Sequence, residues 1–254
     1  MTQLLDQPAN LIVRSHAEAP HLKKAARAIE QAAWTESGYL NYTKAHYEYY
    51  SDLVNRFPEY QLCLVDEDSA YPVAAASSVP FACKDLDRLP PEGWDWVVAT
   101  AATNGAPANM LGALAISVPA VHRMKGYGRL LIRALVDLAK TKGLRGVVAP
   151  VRPSAKVQHP WVPIAEYLSW TDEGGRVYDP WLRSHLSAGA RLLGPCERSM
   201  VVQEPIAFWE NWAKQRFERS GAYALEGALA PVEIDVDRKT GTYQEPNIWV
   251  YYAA

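Results

Sequence analysis

The hydrophobic and polar positions of this chain follow two periods, and each change of period marks a predicted element. Apolar residues recur at helical spacing after Pro20, after Thr43, from Trp94 to Ala102 and from Leu130 to Leu138. Short apolar runs without that spacing predict strands at 11–13, 61–65, 73–79, 110–118, 146–151, 197–203, 232–234 and 248–251. Strands alternating with helices are typical of an α/β protein.

The segment 110–151 has the clearest organisation. A nine-residue strand ends at Pro119, an amphipathic helix follows, and 146–151 is predicted as a buried strand. Gly143 is predicted to end the helix. A strand, a helix and a second strand of these lengths predict a parallel crossover unit. Further along, Asp179 before Pro180 predicts a capped helix through 188, and the apolar spacing predicts an amphipathic helix over 205–219.

Composition narrows the class of protein. The chain has 254 residues, 49% of them hydrophobic, and a net charge of −2, so a strongly basic nucleic-acid face is not expected. No apolar run has the length of a membrane span, and 1–6 lacks the basic and apolar blocks of a signal peptide, which predicts a cytoplasmic protein without membrane contact. The three cysteines are far apart, and no metal site is expected. We expect one domain over 1–254, with 203–254 as a C-terminal extension packed on the core.

A glycine-containing turn joins the strand ending at Val118 to the helix that starts near Arg129. It reads Arg123-Met124-Lys125-Gly126-Tyr127-Gly128, an Arg-x-x-Gly-x-Gly pattern. Glycines let the backbone approach an anion closely, and the positive end of the helix dipole points at the same place. The turn therefore predicts a pyrophosphate site, although the same pattern also suits a tight structural turn.

This segment resembles the acyl-CoA signature of the GNAT superfamily of acyl-CoA-dependent N-acyltransferases: Arg or Gln, two variable residues, Gly, one variable residue, then Gly or Ala. Arg123, Gly126 and Gly128 match it, whereas Met124 stands where a Gly is common. The resemblance implies a sheet that is mixed, mostly antiparallel and splayed at two central parallel strands, with helices on its flanks. It also looks like a larger bacterial subgroup with an extended C-terminus.

The resemblance further implies a mode of acyl-CoA binding. The pyrophosphate would lie on the N–H groups of residues 123–128, and the pantetheine arm would pair with the end of the preceding strand. Positive charge would come from the basic side chains near the loop. The implied acyl-CoA residues are Ile116, Ser117, Val118, Arg123, Met124, Lys125, Gly126, Tyr127, Gly128 and Arg129.

A second match lies at 179–190, which resembles the short fourth helix of the fold. Many members carry there, four residues before a Gly, a Tyr that protonates the departing thiolate of coenzyme A. His185 holds that place here, four residues before Gly189. A histidine titrates near neutral pH and is able to donate to sulfur, so His185 is the first candidate acid; the alternative is a surface histidine.

The aromatic-rich segment 160–170 is expected to run over the mouth of the site. Glu166 and Tyr167 are its candidates for relaying a proton or positioning a substrate. The alternative for Glu166 is an ordinary charge on the rim. Arg152 and Lys156, just past a strand end, are candidates for binding an acidic group, with ion pairing as the alternative.

The resemblance implies transfer of an acetyl or other short acyl group from acyl-CoA to an amine of a small molecule or peptide by direct attack. Two other classes stay open. One is decarboxylation of an acyl-CoA or acyl-carrier-protein substrate, or O- or S-acyl transfer. The other is a non-catalytic acyl-CoA-binding module. The sequence does not name the acceptor, and it leaves a homodimer open.

Overall fold

The computed structural model describes residues 10–254, so the stretch 1–6 used for the localisation lies outside the described residues. The strands are β1 Leu11–Ser15, β2 Gln61–Asp66, β3 Tyr71–Phe81, β4 Met110–Ser117, β5 Gly146–Val151, β6 Arg191–Pro205, β7 Gly221–Tyr223, β8 Val232–Asp235 and β9 Thr240–Ala253. The helices are α1 Lys23–Ala33, α2 Ser51–Arg56, α3 Gly93–Thr103, α4 Tyr127–Thr141, α5 Ile164–Leu168, α6 Pro180–Ser187 and α7 Ile206–Ala213.

The described strands form one mixed sheet, in which β4 and β5 are the parallel pair and the other pairs are antiparallel. Its order is β1-β2-β3-β4-β5-β9-β8-β7. β5 and β8 pair with different parts of one edge of β9, and β6 pairs with the opposite edge. The parallel pairing is short, with Leu111 opposite Val147 and Gly112 opposite Val148. Both strands then continue to their C-terminal ends without pairing to each other, which confirms the predicted splay.

A β-bulge at Leu114 accompanies the separation of these strands. Ser77 of β3 faces Ala115, but Ser78 faces Ala113, so Leu114 is an extra residue in β4. Its carbonyl accepts a hydrogen bond from the indole Nε1–H of Trp94 on α3, at 3.0 Å. A bulge bends its strand, so this bond to α3 fixes the bend at the point where β4 leaves β5.

The segment 203–254 contributes a central strand of the sheet. β9 pairs along one side with β6 and along the other with β5 and β8. The sequence-based boundary at 203 falls inside β6, whose last residues face the start of β9. The strand predicted over 197–203 is therefore one part of the longer β6.

Two sequence-predicted caps are present. Asp179 is fully buried, and its carboxylate accepts the N–H groups of Trp181 and Leu182 at the start of α6. Gly143 has φ +67°, as expected of a residue that follows a helix. The apolar face of α4 packs on one face of the sheet, whereas the buried parts of α1, α3 and α7 belong to clusters on the other.

Two predicted elements differ from those observed, and two short observed elements, α5 and β7, were not predicted. The helix expected over 205–219 ends at Ala213, because Lys214 turns the backbone to φ +53° and the Glu210 carboxylate accepts the N–H of Phe217. Thr43 does cap the second helical segment, but that segment begins as a π turn, His46–Tyr50, before α2. The short α5 and β7 had no clear period in the sequence.

Among residues 10–254, no helix combines the length and the apolar character needed to cross a membrane. The same residues contain no group of three or more His, Cys, Asp or Glu side chains arranged to hold a metal ion.

Candidate active site

The Arg-x-x-Gly-x-Gly turn has the backbone geometry of an anion site. Gly126 is the N-cap of α4 and has φ +79°, a left-handed conformation that a Gly adopts without strain. The N–H of Arg129 donates to the Gly126 carbonyl, whereas the N–H groups of residues 124–128 have no backbone acceptor among residues 10–254. These groups are thus left for an anion at the positive end of the helix.

The side chains of this turn add positive charge, and the charged ones point into solvent. Arg123 and Lys125 are exposed, and Lys125 Nζ lies 3.4 Å from His122 Nδ1. Tyr127 is buried in the core. The Nε atom of Arg129 is buried and has no hydrogen-bond partner within the described part of the chain. Such an orphaned guanidinium nitrogen at a helix start fits the phosphates of coenzyme A.

Met124 is the loop residue that departs from the family pattern. It has φ +65°, the left-handed region that favours Gly, and its side chain is fully exposed. The backbone therefore keeps the shape that a Gly would give this position, at a conformational cost of about 1–2 kcal/mol.

Trp181 links this turn to His185. A Cβ added at Gly128 would lie 3.3 Å from the Trp181 ring, so the glycine allows α4 and α6 to approach closely. The Trp181 ring meets the imidazole of His185 edge to face, with the ring centroids 4.7 Å apart. The phosphate loop and the candidate acid are therefore held by one aromatic contact.

A cavity of about 340 Å³ lies where β4 and β5 separate. Its walls are the C-terminal halves of those two strands, α6, and residues from the opposite face of the sheet. Its lining includes Ile116, Arg152, Trp181, His185 and Glu245, together with Glu30, Trp34 and Tyr50. An opening between parallel strands is the place where the pantetheine arm was expected.

His185 is buried within this cavity wall and is held by one strong hydrogen bond. Its Nδ1 lies 2.7 Å from the hydroxyl oxygen of Tyr252 on β9, and its Nε2 is buried without a partner among residues 10–254. Burial lowers the pKa of His185 to about 4, so the imidazole is neutral at pH 7. The sequence-based expectation of a histidine that titrates near neutrality does not fit this site.

The three strand residues predicted to contact pantetheine lie at the splayed end of β4. Ile116 lines the cavity. Ser117 is buried, and its hydroxyl accepts the Nε1–H of Trp34 at 3.2 Å. Val118, half-buried, follows directly.

The structure does not bring Glu166 and Tyr167 to this cavity. Glu166 is exposed on α5, and neither residue lines the cavity. Tyr167 is buried, and its hydroxyl donates to Asp179 at 2.9 Å. Because Asp179 also accepts the N–H of Ala155, the carboxylate ties α5 and α6 to the segment after β5.

Arg152 and Lys156 are both used within the fold. Arg152 Nε lies 2.6 Å from the buried carboxylate of Glu245, and the guanidinium also donates to the Gly227 carbonyl. The Lys156 ammonium is fully buried and donates to the carbonyls of His159 and Leu229. Burial lowers the pKa of Lys156 to about 8.

A larger cleft of about 1450 Å³ opens on the other side of the small cavity. Five residues line both spaces, and we call this shared boundary the neck: Glu30, Trp34, Asn41, His46 and Tyr50. Sequence reasoning missed these residues. Their only signal was an unusual concentration of aromatic residues around 34–50, because their contacts with the sheet depend on tertiary structure.

No protein-family model matches the chain. The arginine N-acetyltransferase avaD of Aspergillus versicolor is 32% identical over 243 residues, which cover 84% of this chain and 83% of that protein. This level of identity over most of both chains shows common family membership.

Solved structures agree in fold. The loading GNATL domain of CurA from Lyngbya majuscula has a TM-score of 0.57 at 19% identity, with 96% of this chain and 97% of that chain covered. The GphF GNAT-like decarboxylase in complex with isobutyryl-CoA has a TM-score of 0.54 at 19% identity, with 95% and 98% covered. At such identities the likeness concerns the fold alone.

The sequence relationship defines the class, and the fold agrees with it: the chain belongs to the GNAT superfamily of acyl-CoA-dependent N-acyltransferases. It is an enzyme that transfers an acetyl or other short acyl group from acyl-CoA to an amine, as the sequence predicted.

Proposed function

We propose that the acceptor is arginine, taken as a free amino acid, and that the acyl donor is acetyl-CoA. The observation that carries the proposal is the 32% identity, over most of both chains, to a protein named as an arginine N-acetyltransferase. We place the reaction in the cytoplasm; the free, buried thiols of Cys63, Cys83 and Cys196 support that compartment.

The chemistry of the large cleft supports a zwitterionic, cationic acceptor. Its carboxylates are Glu30, Asp95 and Glu204, set among the rings of Trp34, Tyr50 and Trp212. Carboxylates and aromatic faces are the groups that bind a guanidinium. The basic residues of the cleft, Lys23, Lys24, Arg27 and Lys44, suit the α-carboxylate of an amino acid.

We infer that His185 acts as a neutral hydrogen-bond donor to the reacting thioester. A Tyr252 hydroxyl that donates to Nδ1 leaves the ring proton on Nε2, the nitrogen without a partner. A neutral imidazole N–H stabilises charge that develops on the thioester oxygen or on the leaving sulfur. For the other contacts to acyl-CoA, we propose the residues that the sequence predicted, 116–118 and 123–129.

The charge of the small cavity favours an uncharged acyl group. Arg152 is the cation in its wall, and that cation is already compensated by Glu245 and by the Gly227 carbonyl. A carboxylated acyl group, as decarboxylation requires, would compete with this buried pair. We therefore favour acetyl transfer over the decarboxylase alternative.

The test is an acceptor screen with acetyl-CoA, in which free thiol release and acetylated product are measured together. We expect arginine to be acetylated with a larger kcat/KM than lysine, citrulline or norleucine. Thiol release without an acylated amine would overturn the proposal, and so would conversion of malonyl-CoA to acetyl-CoA at a higher rate. Light scattering of the same sample checks the expectation of a homodimer.

A further inference from the structure

One carboxylate stands at the neck between the two cavities. Glu30, near the end of α1, lines the small cavity that contains His185 and also lines the large cleft. Asp95 and Glu204 line the cleft alone, and Glu245 lines the small cavity alone. Under the proposed function, an acceptor in the cleft and a thioester in the small cavity would both lie next to Glu30.

The carboxylate of Glu30 is held in place by two hydroxyl groups. The Tyr50 hydroxyl donates to Oε1, and the Ser77 hydroxyl on β3 lies 3.4 Å from Oε2. Both donors come from elements other than α1, so the position of the carboxylate depends on tertiary packing. Each oxygen keeps lone-pair capacity for a further donor.

The surroundings of Glu30 make it a better proton acceptor than an ordinary glutamate. Burial raises the pKa of Glu30, while the hydrogen bonds from Tyr50 and Ser77 oppose that shift. A carboxylate with a raised pKa holds a proton more firmly, which suits a base that works near neutral pH. The titratable and charged groups that share the cleft with Glu30 are His16, Lys23, Lys24, Arg27, Tyr42, Lys44, His46, Tyr47, Tyr50, Asp95 and Glu204. Those that share the small cavity with it are His46, Tyr50, Arg152, His185 and Glu245.

We propose that Glu30 accepts the proton of the acceptor amine during acyl transfer. This inference rests on the proposed function. The neutral amine nitrogen attacks the thioester carbonyl, the C–N bond forms, and the nitrogen becomes cationic and acidic. Its proton passes to a Glu30 oxygen as the C–S bond breaks. The sulfur leaves as the thiolate with the electron pair, and the Glu30 proton then exchanges with solvent.

The experiment compares Glu30→Gln with the wild type in two measurements, kcat against pH and the Kd of acetyl-CoA. Loss of a proton acceptor is expected to lower kcat by about 100-fold. The decrease of kcat at low pH that comes from protonation of Glu30 is expected to be absent in this variant. The Kd of acetyl-CoA is expected to stay within twofold of the wild-type value. Glu36→Gln is the matched control, since Glu36 is exposed and lies six residues further along the chain, beyond the end of α1.

Tyr50→Phe tests the inference without touching the carboxylate. The Tyr50 hydroxyl holds the pKa of Glu30 down, so its removal is expected to move the acid limb of kcat to higher pH. A merely structural role of the pair would lower activity without moving that limb. This variant also keeps the test valid if Glu30→Gln does not fold.

His46→Asn tests whether His46, rather than Glu30, causes the acid limb of kcat. His46 is the alternative because it lines both cavities and stacks on Tyr50. The inference is overturned if His46→Asn, and not Glu30→Gln, removes the acid limb. It is also overturned if Glu30→Gln keeps wild-type kcat and pH dependence while the wild type acetylates arginine. A wild type that acetylates no amine overturns the proposed function itself, and this inference with it.

Discussion

The Nδ1 atom of His185 on α6 lies 2.7 Å from the hydroxyl oxygen of Tyr252 on β9. Both residues are buried, so the bond forms in a low-dielectric environment where it fixes the ring orientation. The bond joins a residue of the second sequence match to a strand 67 residues further on. It places the unpartnered Nε2 in the wall of the cavity between β4 and β5.

Tyr252→Phe is expected to lower kcat by about tenfold, with the KM for acetyl-CoA within twofold of wild type. The tenfold loss corresponds to about 1.4 kcal/mol, the size of one net hydrogen bond. Steady-state kinetics at saturating acceptor measures it. Tyr251→Phe is the control, because the Tyr251 hydroxyl donates at the surface to the Arg145 carbonyl. Equal losses of kcat in both variants would show that the Tyr252 hydroxyl has no specific role in the reaction.

The stability of the protein is expected to fall in acid partly because of His185. Its pKa is about 4 in the folded protein and about 6.5 for an unperturbed histidine, so between these pH values the unfolded state binds the extra proton. Its contribution is complete above pH 6.5 and is lost as the pH falls toward 4, by up to roughly 3 kcal/mol.

Urea unfolding at pH 7.5 and pH 4.5 of the wild type and His185→Asn measures this contribution. The stability difference between the two proteins should shrink at the lower pH. His16, whose pKa is also lowered to about 4 by burial, is present in both proteins and cancels. A difference that stays constant with pH would show that His185 titrates normally.

Gly126→Asp is expected to abolish acetyl-CoA binding in isothermal titration. The substitution places a carboxylate beside the N–H groups meant for the pyrophosphate, and it strains a backbone at φ +79°. Gly143→Asp is the matched control: it adds the same strain at φ +67° and the same charge at the other end of α4. Comparable loss of binding in both variants would mean that strain alone is responsible.

Met124→Gly is expected to leave the Kd of acetyl-CoA within about threefold of the wild-type value. The Met124 backbone already has the left-handed conformation, and its exposed side chain makes no packing contact to lose. Relief of about 1–2 kcal/mol of strain offsets the greater freedom of Gly in the unfolded chain. Titration calorimetry measures the Kd, and a tenfold weakening would show that the Met124 side chain contacts coenzyme A.

Tyr167→Phe is expected to lower the free energy of unfolding by about 1–2 kcal/mol, because it removes a buried hydrogen bond to Asp179. Equilibrium denaturation gives this value, and kcat per folded molecule is measured alongside. Glu166→Gln, on the exposed side of α5, serves as the comparison. A drop in kcat beyond the loss of folded protein would support the catalytic roles that the sequence predicted for these two residues.

The local parts of the structure were predictable because they depend on neighbouring residues. The period of apolar residues in α4, the caps at Asp179 and Gly143, and the paired strands around the phosphate turn follow from short-range propensities. The Arg-x-x-Gly-x-Gly turn was readable for the same reason, since its conformation is set by six consecutive residues.

The sequence by itself determined the strand–turn–helix segment in which we predict the pyrophosphate site, and the placement of a histidine on α6. Only the tertiary structure decided the state of that histidine, since the partner that holds it and the burial that makes it neutral come from distant segments. It likewise decided that Glu30 and Tyr50 meet at the neck of two cavities. Charge state and proton transfer depend on desolvation and on contacts across the sheet. Neither desolvation nor these long-range contacts produce a periodic pattern in the sequence.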